Sequence, residues 1–283
     1  MPKKPEKKKQ KTYAIDRRKY YVAKANDFIR WARYSLTVQQ QRILLYLISM
    51  IKPFDTVNDE YTFKIKEFCE TCGLEGDSRF YYERIKEDIK TIADFSRWVM
   101  FQDGKPNEEI LFRWFNTVRM YKNSGTIYIT FHATLAPYLY DLKERYTQYP
   151  LVNVLAFRSK YSIRLYELLR SYTKKEYLRF EINELRNLLD AEKYARSVDF
   201  KRYVLETAEK EINQYADDLR VEYRLIKTGK KVTSVEFRIW KPEHWDQLAT
   251  WQEQRHRLNG YERNEKRAKK EKKKSEEDLT DKT

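Results

Sequence analysis

The sequence predicts an α+β protein made of two tandem copies of one unit, related by internal duplication. Three ordered matches between the two halves of the chain lead to this prediction. The run I-L-L-Y-L-I at 43–48 matches I-R-L-Y-E-L at 163–168, and F-K-I-K-E-F at 63–68 matches F-E-I-N-E-L at 180–185. Four apolar or aromatic residues, Phe80, Ile85, Ile92 and Phe95, then match Phe200, Leu205, Ile212 and Tyr215. All three matches are separated by roughly 120 residues and keep the same order, as expected of a duplicated unit.

The first unit begins with a helix predicted over Val38–Ile51, because most of its residues are apolar. Pro53 ends this helix, and alternating residues over Tyr61–Ile65 predict a short strand that leads into a second helix. Ser78 stands at an N-cap position, and apolar residues recur every three or four positions from Phe80 to Phe95, which indicates an amphipathic helix. Three strand-like runs follow: Trp98–Phe101, Ile110–Tyr121 and Ile127–Phe131.

The second unit repeats this order of elements. Its predicted helices are Tyr161–Tyr172, Asn183–Leu189 and Phe200–Tyr215. Its predicted strands are Leu178–Ile182, Leu219–Ile226 and Val232–Trp240. Ser197 or Asp199 is predicted to cap the helix over Phe200–Tyr215. The turn between the last two strands, Lys227-Thr228-Gly229-Lys230-Lys231, carries three positive charges. A helix–turn–helix followed by a hairpin with a basic tip is the winged-helix plan, so we predict two tandem winged-helix domains.

Composition and turn signals divide the chain into five segments. We expect a basic disordered tail at 1–20, a winged-helix domain at 21–136, a linker at 137–154, a second winged-helix domain at 155–245 and a charged tail at 246–283. The formal net charge is +15. About +6 remains when the Lys-rich termini are set aside, so a folded basic surface facing an anionic partner is expected.

The sequence lacks the features of membrane and secreted proteins. It has no apolar run long enough to span a bilayer and no apolar signal core, and its two cysteines are too few for a disulfide framework. We therefore expect a cytoplasmic protein with no membrane partner.

The sequence also lacks the parts of the enzymes that act on DNA. Its six glycines fall in no phosphate-binding loop, and its histidines, His132, His244 and His256, form no metal-binding pair of the kind that nicking replication enzymes use. Cys69 and Cys72 have metal-ligand spacing, but no second cysteine or histidine pair completes a zinc site. Packing is the favoured role of these cysteines, with metal binding or redox chemistry as the alternative. We expect no enzymatic activity, no cofactor and no metal.

The candidate DNA-binding residues lie on the helix and the wing of each unit, because a helix–turn–helix places its second helix in the major groove. In the second unit they are Arg196, Ser197, Lys201 and Arg202 at the helix start and Lys227, Lys230 and Lys231 in the wing. In the first unit they are Arg79, Arg84 and Lys86 on the helix and Lys122 in the wing. Basic residues on one helix face are often simply solvated, but the basic helix start combined with a basic wing favours DNA binding.

The two units differ in charge. The first-unit helix also carries Glu83, Glu87 and Asp88, and its wing has one lysine where the second has three. We therefore expect the second unit to read sequence, and the first to make weaker DNA contacts or to bind protein.

Several stretches resemble the Rep3 family of plasmid replication initiators. They are A-K-A-N-D at 23–27, R-Y-S-L-T at 33–37, Q-R-I-L-L-Y-L-I at 41–48, R-S-K-Y-S-I-R-L-Y-E-L-L at 158–169, F-K-R-Y-V-L at 200–205 and K-E-I-N at 210–213. The resemblance covers roughly residues 20–240 and leaves both tails outside it. Without it, a two-domain winged-helix transcriptional regulator with no replication role would fit the residues equally well.

The resemblance implies a fold of two winged helices and binding to directly repeated double-stranded DNA at the origin, the iterons. It also implies origin opening by monomers with a host replication initiator and helicase, and repression of the initiator's own gene by a homodimer in equilibrium with the monomer. In the family, the second domain's helix is the main major-groove reader and the first domain also dimerises. Lys201 and Arg202 match the reader's basic positions. Tyr203 and the run at 206–208 depart from the family, which often has a further basic residue and a proline there.

Overall fold

The computed structural model describes residues 19–74, 78–94, 97–101, 109–121, 124–172 and 174–258 of the 283-residue chain. In the first half its elements are β1 Tyr21–Ala25, α1 Asn26–Trp31, β2 Ala32–Tyr34, α2 Val38–Ile48, β3 Tyr61–Lys64, α3 Ile65–Thr71, α4 Ser78–Asp94, β4 Arg97–Phe101, β5 Glu109–Arg113, β6 Phe115–Met120 and β7 Thr126–Phe131. A capping box starts α2: the Thr37 hydroxyl accepts from the Gln40 amide, and the Gln40 side chain accepts from the Thr37 amide.

The second half begins after a 3₁₀ turn, Ala133–Leu135, and a short helix α5, Ala136–Leu139. Its elements are β8 Tyr146–Pro150, α6 Leu151–Ala156, α7 Lys160–Arg170, β9 Tyr177–Glu181, α8 Ile182–Leu188, α9 Ser197–Phe200, a π-helical turn Lys201–Leu205, α10 Glu206–Tyr215, β10 Arg220–Thr228, β11 Lys231–Trp240 and α11 His244–Leu258.

Both halves contain the same antiparallel three-stranded sheet. In the first half β7 lies between β3 and β6, and in the second half β11 lies between β9 and β10. In each half the outer strand that comes first in the chain, β3 or β9, leads directly into a short helix. A longer helix follows and precedes the hairpin formed by the other two strands. The repeated helix–strand–helix–helix–hairpin order confirms the prediction of two tandem winged helices related by duplication.

The structural repeat also extends further towards the N-terminus than the sequence matches indicate. Strand β1 with helix α1 precedes α2, and strand β8 with helix α6 precedes α7. The two strands pair with each other, Tyr21 opposite Pro150 and Ala25 opposite Tyr146. Residues 137–154, predicted to be a linker, therefore contain a strand and most of a buried helix. The sequence signal was misleading because Pro137 and Pro150, which suggested a loop, lie at the first turn of α5 and at the end of a two-stranded sheet.

The first unit has an additional sheet formed by β2, β4 and β5. The long strand predicted over Ile110–Tyr121 is in fact two strands, β5 and β6, in different sheets. The chain changes sheet at Trp114, which is fully buried and packs edge-on against Tyr34 at a centroid distance of 5.1 Å. A buried aromatic side chain at the strand junction explains why periodicity alone reads the two strands as one.

Helix α11 corrects the prediction that residues 246–283 form a charged tail. Residues 246–258 complete a helix in which Gln254 and Leu258 are buried. The Gln254 amide donates to Asn153 Oδ1 at 2.7 Å and to the Tyr215 carbonyl at 2.6 Å. These contacts hold the helix against α6 and α10. Their polar character explains why the charged composition suggested a solvated segment. No helix in the described ranges is long and apolar enough to cross a membrane.

Candidate nucleic-acid interface

The helix predicted to read DNA is a continuous helical segment from Ser197 to Tyr215 with a π-helical turn at Lys201–Leu205. Val204 and Leu205 are both fully buried on adjacent positions, and the Thr207 hydroxyl donates to the Arg202 carbonyl five residues earlier at 3.4 Å. The wide turn accommodates one extra residue. It lies between the helix start, Ser197–Phe200, and α10. Apolar spacing does not predict this turn, because the buried residues Phe200, Val204, Ala208 and Ile212 keep regular helical spacing.

The start of this helix differs from the predicted cap. Arg196 occupies the N-cap position, and its side chain forms no capping hydrogen bond. Asp199, one of the two predicted caps, faces Arg196 instead, with 3.6 Å between its carboxylate and Nε. Ser197 is the first helical residue. The expectation that Ser197 or Asp199 caps the helix is therefore wrong, because each residue lies inside the first turn.

Lys201 and Arg202 are both exposed on the helix surface. Lys201 Nζ lies 3.2 Å from Glu206 Oε1, and both side chains are half exposed, so this pair contributes little stability and can separate when a phosphate or base approaches. The Arg202 guanidinium lies 5.4 Å from the ring of Tyr203, which stacks on Tyr194 at 5.3 Å. Arg202 makes no ion pair with any residue in the described ranges. Both side chains are thus available to an anionic partner.

The wing of the second unit is the hairpin between β10 and β11. Thr228 pairs with Lys231, which leaves Gly229 and Lys230 as a two-residue turn. Gly229 has a φ of 60°, the left-handed conformation that the first position of such a turn requires and that glycine adopts without strain. Lys227, Lys230 and Lys231 are exposed, and none forms an ion pair within the described part of the chain. The wing therefore presents three uncompensated charges.

The corresponding helix of the first unit is α4. Arg84 is exposed, whereas the ammonium group of Lys86 lies over the Tyr82 ring at 4.2 Å. The Tyr82 hydroxyl donates to the Ser124 carbonyl in the β6–β7 turn, which attaches the helix to its hairpin. The side chain of Arg79 and the whole of Lys122, both candidate DNA contacts, lie outside the described residues.

The acidic residues of α4 fall into two groups. Asp88 is half-buried, accepts a hydrogen bond from Gln40 Nε2 at 3.1 Å, and has its pKa raised by burial. Glu83 and Glu87 are exposed, and Glu87 lies 3.4 Å from Lys90 Nζ. The exposed face of α4 therefore combines charges of both signs.

The two cysteines lie at the end of α3. Cys69 is half-buried, and burial raises the pKa of its thiol to about 11, so the thiol is protonated at neutral pH. Cys72 is buried. Within the described residues no group of three or more His, Cys, Asp or Glu side chains is arranged to hold a metal ion.

Comparison with known protein families identifies the chain. Residues 21–170 match the family model described as "Initiator Replication protein, WH1", and residues 181–239 match the one described as "Initiator Rep protein, WH2". The first model alone spans more than half of the sequence. The chain belongs to the Rep3 family of plasmid replication initiators. Its two winged helices correspond to the WH1 and WH2 domains of that family.

Two relatives illustrate the family. A protein from Escherichia coli named "Replication initiation protein" is 22% identical over 250 residues, which cover 84% of this chain and 75% of that protein. The crystal structure of the Pi initiator protein in complex with iteron DNA superimposes with a TM-score of 0.62 at 20% identity. The superposition covers 80% of this chain and 99% of the Pi chain. At this level of identity the similarity to Pi shows that the two proteins share a fold.

Proposed function

We propose that this Rep3-family chain binds directly repeated double-stranded DNA, the iterons, at a plasmid origin, and that its second unit reads the sequence. The observation that carries this proposal is the exposed pair Lys201 and Arg202 at the start of the helix that a winged helix places in the major groove. Arginine bonds guanine bidentately through O6 and N7, and lysine bonds guanine or phosphate. The Pi initiator, which has the same fold, was crystallised with iteron DNA.

The wing of the second unit supplies sequence-independent affinity in this proposal. Lys227, Lys230 and Lys231 are exposed, without ion pairs among the described residues, on a turn of glycine-dependent geometry. Lysines of this kind neutralise phosphates and release counterions, which gives binding that weakens with salt. Helix and wing together would fix the register of the protein on one repeat.

In this proposal the first unit makes weaker DNA contacts than the second and provides a surface that binds protein. The mixed charge of Glu83, Arg84, Glu87 and Lys90 on α4 favours neither strong phosphate binding nor repulsion. In this account the first unit forms the homodimer that represses the initiator's own gene. Monomers bound at the iterons then open the origin and recruit the host initiator and helicase.

A replication assay tests the proposed function. A plasmid without its own origin would carry this gene and the DNA upstream of it, and transformants would be counted in a host that supports the replicon. The wild-type gene is expected to sustain replication, and the double variant Lys201→Ala/Arg202→Ala to abolish it. The variant Lys174→Ala/Lys175→Ala removes two exposed lysines elsewhere on the same unit and is expected to replicate normally. Equal replication by the wild type and the Lys201/Arg202 variant would contradict the proposal.

A further inference from the structure

The helical segment from Ser197 to Tyr215, which we call the reading helix, has Val198 as its most exposed apolar side chain, with 66% of its surface accessible. It is the second residue of the helix and projects from the first turn. A valine at this position does not contribute to the core, which the helix meets through Phe200, Val204 and Leu205. Valine also lacks the side-chain oxygen that would cap the free amides of the first turn, and its branched side chain forms helix poorly.

Val198 shares one face of the helix with the candidate reading residues. Lys201 and Arg202 follow it by three and four positions, the spacing at which helical side chains are neighbours. All three side chains are exposed, whereas Phe200 between them is fully buried. Any DNA surface that contacts Lys201 and Arg202 therefore also meets the two methyl groups of Val198.

The chemistry of the major groove indicates what these methyl groups would contact. Guanine, cytosine and adenine present hydrogen-bond donors and acceptors there, and thymine alone presents an apolar group, the C5-methyl. A valine facing a polar base edge would desolvate that edge without replacing its hydrogen bonds. Against a thymine methyl, the same side chain removes apolar surface from water on both partners.

We infer that Val198 is a specificity-determining residue that packs against the C5-methyl group of a thymine in each repeat. This inference rests on the proposed function, since it requires the second unit to face the major groove. Val198 would add an apolar base contact to the polar contacts that Lys201 and Arg202 are proposed to make. Recognition of one repeat then depends on a thymine beside the base that Arg202 contacts.

Substitution of thymine by deoxyuridine tests the inference, because deoxyuridine lacks only the methyl group. The affinity of the full chain is measured by fluorescence anisotropy for a duplex carrying one repeat, with each thymine of both strands replaced in turn. Wild-type protein is expected to lose about fourfold in affinity at one or two positions, the ratio that corresponds to burial of one methyl group. The remaining positions are expected to have no effect.

The variant Val198→Ala completes a double-mutant cycle. It is expected to bind the thymine duplex about fourfold more weakly than wild type and to bind the responsive deoxyuridine duplex with no further loss. Because Val198 is exposed, the substitution should leave the fold intact, which circular dichroism checks. Val38→Ala, which shortens a partly buried valine at the first position of helix α2, controls for the loss of two methyl groups elsewhere in the protein and is expected to keep the full response to deoxyuridine.

Three results would overturn the inference. In the first, no deoxyuridine position weakens wild-type binding. In the second, Val198→Ala and deoxyuridine weaken binding additively, which would separate the side chain from the methyl group. In the third, Val198→Ala changes the oligomeric state of the free protein with no change in DNA affinity, which would make Val198 part of a protein interface. Failure of the proposed function is distinguishable from these, because wild-type protein would then show no preference for the repeat over a shuffled duplex.

Discussion

Lys24 and Glu167 form an ion pair in the interior of the protein, with 2.5 Å between Nζ and Oε1, and their side chains are only 2% and 1% exposed. Lys24 lies on β1 in the first half of the chain, and Glu167 lies on α7 in the second. Tyr149 donates a hydrogen bond to the same carboxylate, and Arg164 Nη1 lies 3.4 Å from its other oxygen. The group joins the β1–β8 sheet to helix α7.

Further polar contacts join the two halves beside this pair. Arg164 donates to the Ala32 carbonyl at 3.0 Å and to the Tyr34 hydroxyl at 2.7 Å. Arg42 on α2 donates to the Phe157 carbonyl at 2.6 Å. The two winged helices are therefore held against each other by buried and half-buried contacts.

Glu167→Gln is expected to destabilise the folded protein by about 3–5 kcal/mol, because it leaves the buried charges of Lys24 and Arg164 without a counter-charge. Urea unfolding followed by circular dichroism measures the loss. Glu87→Gln, which removes one partner of the exposed pair with Lys90, serves as the control and should cost less than about 1 kcal/mol. Similar losses in both variants would show that the buried pair contributes no more to the free energy of unfolding than the exposed pair.

The same carboxylate is expected to make stability depend on acid pH. Burial raises the pKa of Glu167, but the charges of Lys24 and Arg164 outweigh burial and hold its pKa below the ordinary value of 4.5. Since the unfolded chain takes up the proton first as pH falls, the stability from the ionised carboxylate is present above about pH 4.5 and is lost as pH falls through the folded-state pKa.

Unfolding of wild type and Glu167→Gln over pH 3–7 checks this dependence. The difference in unfolding free energy between the two proteins should be constant above about pH 5 and should shrink below it. A difference that grows as the pH falls would reverse the sign of the pKa shift and contradict this account of the buried pair.

If Arg202 pairs with a base edge, as proposed, Arg202→Ala is expected to cost about 1–3 kcal/mol of binding to a repeat-containing duplex, with a smaller loss on random DNA. Titrations with both duplexes give the two values. The control is Arg255→Ala, which removes an exposed arginine from α11. An equal loss of affinity for specific and random DNA would show that Arg202 contacts a phosphate and not a base.

Lys230→Ala/Lys231→Ala is expected to reduce the salt dependence of DNA binding by up to about two units in the slope of log affinity against log salt concentration. The reason is that both lysines belong to the exposed wing. Lys174→Ala/Lys175→Ala is the matched control, since these lysines lie near the end of the sheet opposite the wing tip, where the Glu176 carbonyl accepts from the Ile239 amide. An unchanged slope in the wing variant would place the wing away from the DNA backbone.

The sequence predicts the two winged helices well because apolar spacing and turn residues are local signals. It finds the helix of the second unit from the stripe formed by Phe200, Val204, Ala208 and Ile212, and the wing from Gly229 and its lysines. It misses the pairing of β1 with β8 and the packing of α11 on α6, because both depend on contacts between residues more than one hundred positions apart.

The candidate DNA interface also combines features that the sequence predicts with features that only the folded structure shows. Charge and fold indicate Lys201 and Arg202 directly from the sequence. Val198 escaped notice because a valine in a helix is ordinarily a core residue, and only its exposure in the folded chain reveals otherwise. The π-helical turn is also invisible in the sequence, since Val204 and Leu205 are both compatible with a regular buried stripe.

The most direct test of the central claim is the ratio of affinities for the upstream repeats and for a shuffled duplex, measured at one salt concentration. Wild-type protein is expected to favour the repeats at least about a thousandfold. Lys201→Ala/Arg202→Ala should remove most of this preference, whereas Arg84→Ala/Lys86→Ala in the first unit should weaken binding to both duplexes alike. If the first-unit variant loses the preference and the second-unit variant keeps it, the assignment of sequence reading to the second winged helix is wrong.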